Sequence, residues 1–504
     1  MTDSPPWFPS LTTGGDAIAM VDGDRPVTYS ELHDRVGWVT GGLLDGAESL
    51  EEERVAFLYP ASPEYAALII GIVAAGGIAV PLSVHASPAE LAHCLSVAGS
   101  SRLLLPEVLR SDELSLVCNE YGISQLDISD LPEGRMPDTL PISAEQGALI
   151  VFTSGTTGKP KGVIRNHEGY YHLSSITSIE LKIKKEDKAL LVMPLCHANS
   201  FNFFCAYIFA GASIYIYSKP SFNCQYFFKV LKKHHCTFTS LVPTHFIIML
   251  DYIKKYNKNN IIKHKFNFMI SSAPARKDTK QLILKYFKNA NLYELYGSSE
   301  SGWVTMLHPE EQFSHLGTVG KECIGSKAIK IMNDDLKEVK DGVIGELYAS
   351  TPYNFLGYWK NKNKTKEAFI DDYVSVGDLA YRNKNGFIVL VDRKKNMIIS
   401  GGENIYPSEV ENVLGKHNSI KDLAIVGCQD KKWGEIVCAF VILHDNMKLT
   451  EHNLIGWAKK RLASYKCPKK VFFIDDNEMP RNATGKILHK DLRDKANSLI
   501  KIIS

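Results

Sequence analysis

Residues 153–162, TSGTTGKPKG, carry the side chains of this 504-residue chain that are best suited to holding a polyphosphate. Seven of these ten residues are Gly, Ser or Thr, and the two cations are Lys159 and Lys161. Glycines let backbone N–H groups turn inward, hydroxyls add donors, and lysines supply mobile positive charge. The segment lacks the Gly-x-x-x-x-Gly-Lys-Ser/Thr spacing of a Walker A loop. Taken alone, its composition is equally typical of a flexible loop.

Downstream segments add further polar groups in a fixed order. They are VMPLCHANSFNFF (192–204), MISSAPA (269–275), YGSSE (296–300), SVGDLA (375–380), VDRKKNMIISGGENIYPSEVE (391–411) and PRNATGK (480–486). Together with TSGTTGKPKG, they resemble the motifs of the adenylate-forming superfamily, which includes acyl-CoA synthetases, peptide-synthetase adenylation domains and beetle luciferases. The resemblance runs from about Thr28 to Arg493.

The elements that position these segments alternate between helices and apolar strands. Periodicity predicts helices over 28–44 and 65–73, and strands over 55–58, 78–82 and 147–152. This alternation predicts a parallel sheet covered by helices on both faces. The resemblance implies an α/β fold: a large N-terminal domain (1–393) of helix-covered mixed β-sheets with a β-barrel-like subdomain, and a small mobile α+β C-terminal domain (394–504).

Other local expectations concern where elements end. We expect a strand that ends at Pro194, and a strand followed by a turn in both SLVPTHF (240–246) and MISSAPA. The C-terminal part is expected to form strands over 423–426, 438–443 and 471–474 and a helix over 454–461.

The resemblance implies a nucleotide site. In it, Tyr296 stacks on adenine, Ser299 bonds the α-phosphate, Asp378 accepts from both ribose hydroxyls, and Arg393 contacts ribose and phosphate. The implied cofactor-binding residues are Thr153, Ser154, Gly155, Thr156, Thr157, Gly158, Lys159, Lys161, Ser272, Ala273, Pro274, Tyr296, Gly297, Ser298, Ser299, Asp378, Arg393, Gly401 and Gly402. Glu300 and Thr153 are the implied Mg²⁺ ligands, with ATP, Mg²⁺ and coenzyme A as cofactors.

The catalytic residues implied by the resemblance are Lys486, Glu300 and Lys395. Lys486 would bridge the substrate carboxylate and the α-phosphate during adenylation, because an ammonium on a flexible stem can offset charge on both. Lys395 occupies the hinge position near the domain boundary. Rotation about it would bring Gly401 and Gly402 to the site for thioester formation with CoA.

The resemblance also implies an acyl pocket around His197, Asn199, Phe201 and Trp303. No Asp occurs between Lys188 and Asp251, so an ammonium on the substrate would lack a counter-charge, which argues against an amino acid. The aromatic surroundings favour an uncharged tail, either aromatic or aliphatic of medium to long length. His197 and His245 leave a hydroxylated or dicarboxylic acid open.

Bulk properties fit an ordinary globular protein. The formal net charge of +2 gives no reason to expect a nucleic-acid partner, and no apolar run predicts a membrane span. Ten cysteines without a Cys-x-x-Cys pair favour neither zinc nor disulfides, and we expect a cytoplasmic monomer or homodimer. An AMP-forming acid–CoA ligase is the main prediction. The alternatives are an enzyme that loads an acyl carrier protein and a non-catalytic nucleotide-binding homologue.

Overall fold

The computed structural model of the chain describes residues 4–153, 159–258, 261–273, 275–482 and 485–503. Its first elements are α1 Ser10–Thr13, β1 Ile18–Asp22, β2 Arg25–Thr28, α2 Tyr29–Leu44, β3 Arg54–Phe57, α3 Pro63–Ala74, β4 Ile78–Pro81, α4 Pro88–Ala98, β5 Arg102–Leu104, α5 Asp112–Tyr121, β6 Ser124–Leu126, β7 Gly147–Thr153 and β8 Lys161–Asn166. The next are α6 His167–Glu180, β9 Lys188–Leu191, α7 Ala198–Phe209, β10 Ser213–Ile216, α8 Cys224–His234, β11 Phe238–Leu241, α9 Pro243–Tyr256, β12 Phe266–Ser271, α10 Lys277–Tyr286, β13 Ala290–Ser298, β14 Gly302–Leu307, α11 Gln312–His315 and β15 Lys321–Glu322. The last are β16 Lys330–Met332, β17 Gly345–Tyr348, β18 Gly357–Tyr358, α12 Lys362–Ala368, β19 Phe369–Ile370, β20 Tyr373–Val374, β21 Asp378–Arg382, β22 Ile388–Arg393, β23 Ile398–Ser400, β24 Glu403–Ile405, α13 Pro407–Leu414, β25 Ile420–Asp430, β26 Gly434–Leu443, α14 Glu451–Lys459, β27 Lys470–Phe473 and α15 His489–Ile503.

Two large mixed sheets build the N-terminal part of the described chain. One has the order β15-β14-β13-β12-β11-β9-β10-β1-β2, with parallel pairing from β13 through β10 to β1. The other has the order β18-β8-β7-β4-β3-β5-β6. The carboxyl ends of parallel strands meet at one edge of a sheet, which is where α/β proteins bind ligands. The predicted α/β class with a large N-terminal domain is confirmed.

Helices α2 and α3 show why the predicted N-terminal pattern folds as it does. Thr28 and Glu31 form a capping box at the start of α2. Ser62 caps α3 and Pro63 opens it, and every residue of α3 except Glu64 is buried. An apolar helix followed by the buried strand β4 therefore lies inside the core. Within the described ranges, we find no helix with the length and hydropathy needed to cross a bilayer.

Two smaller units follow the large sheets. The first is the four-stranded antiparallel sheet β16-β17-β21-β22. The chain leaves that sheet at Arg393, forms a 3₁₀ turn over Lys394–Asn396, and enters the next sheet at Ile398. This last sheet has the order β24-β23-β26-β25 with β27 beside β26, and its two faces pack on α13, α14 and α15.

Three local expectations need correction. Strand β9 ends at Leu191 rather than at Pro194. The segment after β11 is a helix, α9, rather than a turn, because Pro243 stands at its first position, where a missing N–H is tolerated. The C-terminal strands are also longer than predicted: β25 and β26 pair over almost their whole length, from Ile420 opposite Leu443 to Asp430 opposite Gly434.

Candidate active site

A cavity of about 1030 Å³ lies at the carboxyl ends of β9, β12 and β13, where the large and small parts of the chain meet. Small-molecule and cofactor sites are commonly cavities of about this size. The predicted site residues in its wall are Thr153, Lys161, His197, Asn199, Ser272, Gly297, Ser298, Ser299, Glu300, Trp303, Arg393, Lys395 and Lys486. Residues from distant parts of the sequence therefore face one space.

The other predicted residues fall into two groups. Ser154, Gly155, Thr156, Thr157, Gly158 and Pro274 lie outside the described residues. Lys159, Phe201, Ala273, Tyr296, Asp378, Gly401 and Gly402 are described but do not line the cavity. Two of this second group, Tyr296 and Asp378, are linked to Arg393 of the cavity wall: Tyr296 bonds to Asp378, which pairs with Arg393.

The β7–β8 hairpin presents the flanks of the predicted phosphate-binding segment. Its antiparallel register pairs Thr153 with Lys161 at the open end, so the sheet holds both residues. Lys161 Nζ lies 4.5 Å from the centre of the Tyr358 ring, which is a cation–π distance. β18 pairs with β8 and carries Tyr358 to this position. The hairpin thus places one hydroxyl and one ammonium on the cavity wall.

Glu300 and Ser299 are fixed by groups that the motif itself does not contain. The Tyr358 hydroxyl donates to Glu300 Oε1 at 2.7 Å, and the backbone N–H of Phe355 donates to the Glu300 carbonyl at 2.7 Å. Burial and the neighbouring carboxylate raise the pKa of Tyr358, so this hydroxyl stays a donor. Arg165 is 2% exposed, and its guanidinium donates to the Ser299 carbonyl at 2.9 Å. Glu300 therefore lines the cavity on a turn that three hydrogen bonds hold.

Asp378, Arg393 and Tyr296 form one bonded cluster. β21 and β22 pair Asp378 with Arg393, and Arg393 Nε lies 2.9 Å from Asp378 Oδ1. The Tyr296 hydroxyl donates to Asp378 Oδ2 at 2.7 Å. The Asp378 carboxylate raises the pKa of Arg393, and burial followed by that carboxylate raises the pKa of Tyr296. Each Asp378 oxygen keeps a further lone pair, which a sugar hydroxyl can use.

Lys486 reaches the same cavity from the small C-terminal unit. Its backbone N–H donates to Asn482 Oδ1 at 2.9 Å, and Gly485 before it adopts a φ of +81°, which suits glycine in this turn. Burial, with repulsion from Arg393, lowers the pKa of Lys486 to about 8, while Asp378 acts in the opposite direction. An amine in this setting is a mobile positive charge close to the Asp378 cluster.

Lys395 lies in the connecting 3₁₀ turn and faces the cavity as well. Burial first, and repulsion from Arg393 second, lower the pKa of Lys395 to about 8. The turn and the strand before it are each anchored, one to the large part and one to the small part. Lys394 Nζ lies 2.9 Å from Asp334 in the large part, while Asp392 Oδ2 accepts from the N–H of Ser408 in the small part. The connection between the two parts thus runs along the cavity.

The expected acyl residues divide between the cavity wall and the core. His197, Asn199 and Trp303 line the cavity. Phe201 is a correction: it lies in the core, with its ring stacked on Phe204 and edge-on to Trp7, because the α7 face it occupies points away from the cavity.

His245, a candidate partner for a second polar group of the substrate, also lies outside the cavity wall. Its ring packs against Phe222 at a centroid distance of 4.5 Å. It lies on α9, near the contact between the two parts of the chain.

The glycine pair expected to face CoA stands apart from the cavity in this conformation. Gly401 and Gly402 have φ values of +61° and +87°, in the left-handed region that glycine favours. The Gly401 N–H donates to the Trp433 carbonyl at 2.8 Å, and a Cβ on Gly401 would meet the Trp433 ring at 2.9 Å. The turn therefore requires glycine for its shape.

Sequence reasoning missed two residues that organise the site, Arg165 and Tyr358. Both act on Ser299–Glu300 from elsewhere in the chain. Arg165 belongs to no segment with a recognisable pattern, whereas Tyr358 lies in TPYNFLGYW (351–359), which resembles a segment of the adenylate-forming superfamily. No local signal in the sequence indicates that either side chain bonds to Ser299 or Glu300.

Comparison with known families shows which family this chain belongs to. The AMP-binding enzyme family matches residues 10–359, and the AMP-binding enzyme C-terminal domain matches residues 409–486. The chain belongs to the AMP-binding enzyme family. The predicted membership of the adenylate-forming superfamily is confirmed.

Individual relatives cover almost the whole chain. A 2-succinylbenzoate–CoA ligase from Bacillus cytotoxicus is 28% identical over 479 residues, which is 95% of each chain. The o-succinylbenzoate CoA synthetase MenE from Bacillus subtilis, in complex with the acyl-adenylate OSB-AMP, has a TM-score of 0.85 and 26% identity, with 97% of this chain and 98% of that chain covered. A double mutant of MenE bound to a CoA product analogue has a TM-score of 0.70 and 27% identity over 97% and 98% of the two chains.

Proposed function

We propose that this chain is an AMP-forming carboxylate–CoA ligase, which converts an acid, ATP and CoA to an acyl-CoA, AMP and pyrophosphate. The observation that carries the proposal is that Lys486 of the small unit and Glu300 of the large unit line one cavity. Joining a carboxylate to a phosphate brings two anions together, so the site must supply positive charge from a group that can approach both.

In the first step, a carboxylate oxygen forms a bond to the α-phosphorus of ATP, and the bond from that phosphorus to the bridging oxygen breaks to release pyrophosphate. The Lys486 ammonium offsets the charge on the reacting oxygens. Asp378 accepts from the ribose hydroxyls while Arg393 holds the carboxylate of Asp378 in place. Lys161, with residues 153–158, binds the β- and γ-phosphates.

The residues present fit a magnesium ion. Mg²⁺ is usually held by one or two carboxylates together with substrate phosphates, and Glu300 offers a fixed carboxylate on the cavity wall. A bound Mg²⁺ would supply electrostatic stabilisation of the phosphate oxygens, with Thr153 as a second oxygen ligand.

In the second step, the CoA thiolate attacks the acyl carbon of the adenylate, and AMP leaves. We propose that residues 394–504 rotate about Lys395 as a small domain, so that Lys486 leaves the site and the Gly401–Gly402 turn enters it. Two facts support this. The glycine turn lies outside the cavity here, and the chain fits the acyl-adenylate complex of MenE better than the CoA-analogue complex.

The acid is proposed to carry an aromatic or extended apolar tail. Met193, Leu295 and Trp303 contribute apolar surface to the wall. The relatives named above act on 2-succinylbenzoate, which is an aromatic acid.

A cytoplasmic location also fits, since all ten cysteines are free thiols and nine of them are buried.

A pyrophosphate-release assay over a panel of carboxylic acids, with ATP and with or without CoA, tests the function. The ligase predicts acid-dependent pyrophosphate release and acyl-CoA formation only when CoA is present. Acyl transfer to a phosphopantetheinyl carrier protein but not to CoA would identify the carrier-loading alternative. ATP binding with no acid-dependent pyrophosphate release would identify a non-catalytic homologue.

A further inference from the structure

The C-terminal parts of α8, α9 and α10 carry an excess of lysine that no acid balances locally. We define the basic edge as these helix ends with the described residues that follow them: 229–237, 254–258, 261–265 and 285–289. These ranges hold ten lysines, all of them exposed, and no Asp or Glu. Lys233 pairs with Asp24, and the other nine lysines form no ion pair within the described structure.

Strand pairing and hydrogen bonds make these helix ends one continuous surface. α8, α9 and α10 lead into β11, β12 and β13, which are parallel neighbours, so all three connections reach the same edge of the sheet. His264 Nε2 lies 2.7 Å from the Cys236 carbonyl oxygen, which joins the first two connections. Asn289 Nδ2 donates to the Ile262 carbonyl at 3.2 Å and joins the third.

The basic edge is remote from the proposed active site. The cavity lies at the carboxyl ends of β9, β12 and β13, whereas the basic edge lies at the amino ends of β11, β12 and β13. None of its described residues belongs to the cavity wall. Binding of ATP or an acid in the cavity therefore does not account for these lysines.

A lysine-rich composition alone does not account for them either. Residues 290–504 are also rich in lysine, yet their 31 Lys and Arg residues are nearly balanced by 28 Asp and Glu residues. Residues 224–289 contain 13 Lys and Arg residues but only two acids, Asp251 and Asp278, which gives a formal charge of +11. The rest of the chain carries −9. The positive charge is therefore concentrated on this side of the molecule.

The side chains of the basic edge favour an anionic lipid surface over a nucleic acid. The edge contains no arginine, the residue that pairs with single phosphates in bidentate fashion. Lysine ammonium groups act as mobile point charges, which suits diffuse attraction to a negatively charged leaflet. Tyr256 is 54% exposed, and Lys255 Nζ lies 5.8 Å from the centre of its ring. Tyrosine is enriched at the level of lipid headgroups.

We propose that the basic edge binds the surface of an anionic lipid bilayer. A bilayer at this edge leaves the cavity, at the opposite edge of the sheet, uncovered. Attraction of this kind raises affinity roughly fivefold for each lysine brought close to the surface. Salt screens it over a distance of about 10 Å at 0.1 M. The proposal goes beyond the ligase function and does not depend on it.

Co-sedimentation of the full chain with lipid vesicles tests the proposal. Vesicles of phosphatidylcholine alone are compared with vesicles in which roughly a third of the lipid is phosphatidylserine. At about 0.05 M salt, Kd is expected to be at least about 30-fold lower on the anionic vesicles, and this preference should disappear at about 0.5 M salt.

Two variants with the same loss of charge locate the binding surface. The first changes four exposed lysines of the basic edge: Lys254→Gln, Lys255→Gln, Lys258→Gln and Lys263→Gln. The matched control changes four exposed lysines elsewhere: Lys337→Gln, Lys340→Gln, Lys384→Gln and Lys448→Gln. The first variant is expected to bind anionic vesicles at least about 30-fold more weakly than the parent protein, and the control less than about threefold more weakly. If the first variant does not fold, Lys285→Gln combined with Lys288→Gln decides.

Equal binding to neutral and anionic vesicles, or no binding to either, would overturn the proposal. An equal loss of binding in the two variants would do the same, because it would reflect net charge rather than this surface. Tighter binding to a duplex oligonucleotide than to anionic vesicles at the same salt would overturn it in favour of a nucleic-acid partner. Each of these results leaves the ligase function standing.

Discussion

Burial, together with repulsion from nearby positive charge, lowers the pKa of both Lys395 and Lys486. Both residues line the cavity that Arg393 lines, and the pKa of each falls to about 8. A lowered lysine pKa means that the ammonium form is present below that value and is lost as the pH rises through it. The two roles proposed for these lysines can therefore be separated by their pH dependence.

We expect kcat/KM for pyrophosphate release to fall as the pH rises above about 8, because deprotonated Lys486 no longer offsets the reacting anions. Lys486→Arg should move this alkaline limb beyond pH ~10, since a guanidinium stays charged there. Lys395→Arg is the matched control and should leave the limb where it is. An unmoved limb in Lys486→Arg would show that another group controls the first step.

A substitution of Asp378 tests the proposed contact between this carboxylate and the ribose of ATP. Asp378→Asn removes the charge that Arg393 faces at 2.9 Å and weakens the acceptor proposed for ribose. Hydrogen bonds to charged groups contribute about 1.5–3 kcal/mol, so KM for ATP should rise roughly 10- to 100-fold. Tyr296→Phe removes only one donor to Asp378 and should change KM by less than about threefold. Equal effects of the two changes would argue against a direct contact with the nucleotide.

The motif residues were assigned one by one from their resemblance to the family's motifs, and their roles stay predictions. The residues that orient them could not be predicted. Arg165 acts on Ser299 across 134 positions, and Tyr358 acts on Glu300 across 58. Such contacts depend on how sheets pack, and no local pattern encodes them. Phe201 was misplaced for the same reason, since an aromatic residue beside His197 can face either side of α7.

At the scale of elements, strong local signals gave the right structures. The apolar spacing over 28–44 predicts α2, whose start the Thr28–Glu31 capping box explains, and Ser62 with Pro63 explains the start of α3. Element ends were less predictable. The apolar pattern continues beyond Leu191 after the β9 ladder has ended, and Pro243 reads equally well as a turn or as the first residue of a helix. Neighbouring strands, rather than composition, decide where pairing stops.

The contact between α9 and the Lys486 loop joins the two units in this conformation. Arg481 donates to Thr244 Oγ1 at 3.1 Å and to the Gly485 carbonyl at 3.2 Å, and pairs with Asp422 at 2.6 Å. We infer that the bond to Thr244 stabilises the arrangement in which Lys486 reaches the site.

Thr244→Val removes the bond from Arg481 and the longer one that the Thr244 hydroxyl donates to the Gly485 carbonyl at 3.4 Å. It should therefore slow acyl-adenylate formation by at least about 2- to 10-fold, which is the effect of losing a single hydrogen bond of about 0.5–1.5 kcal/mol. Thioester formation from supplied acyl-adenylate should not slow. Thr244→Ser keeps the hydroxyl and should behave like the parent protein. Single-turnover measurements of each half-reaction make the comparison, and an equal loss in both steps would contradict the inferred role.

At the scale of the whole molecule, one cavity receives its groups from two units joined by a short turn. The large unit supplies Glu300, Ser299 and Arg393, whereas the small unit supplies Lys486. If the small unit rotates between the half-reactions, then Lys486 is needed for only one of them. This separation of roles is the central claim of the account.

Lys486→Ala tests that claim most directly, with the two half-reactions measured separately. We predict that acid-dependent pyrophosphate release falls by at least about 100-fold, because a charge that stabilises the transition state in a water-poor site is lost. Formation of acyl-CoA from supplied acyl-adenylate and CoA should continue at nearly the parent rate. An equal loss in both half-reactions, or full adenylation activity in the variant, would contradict the account.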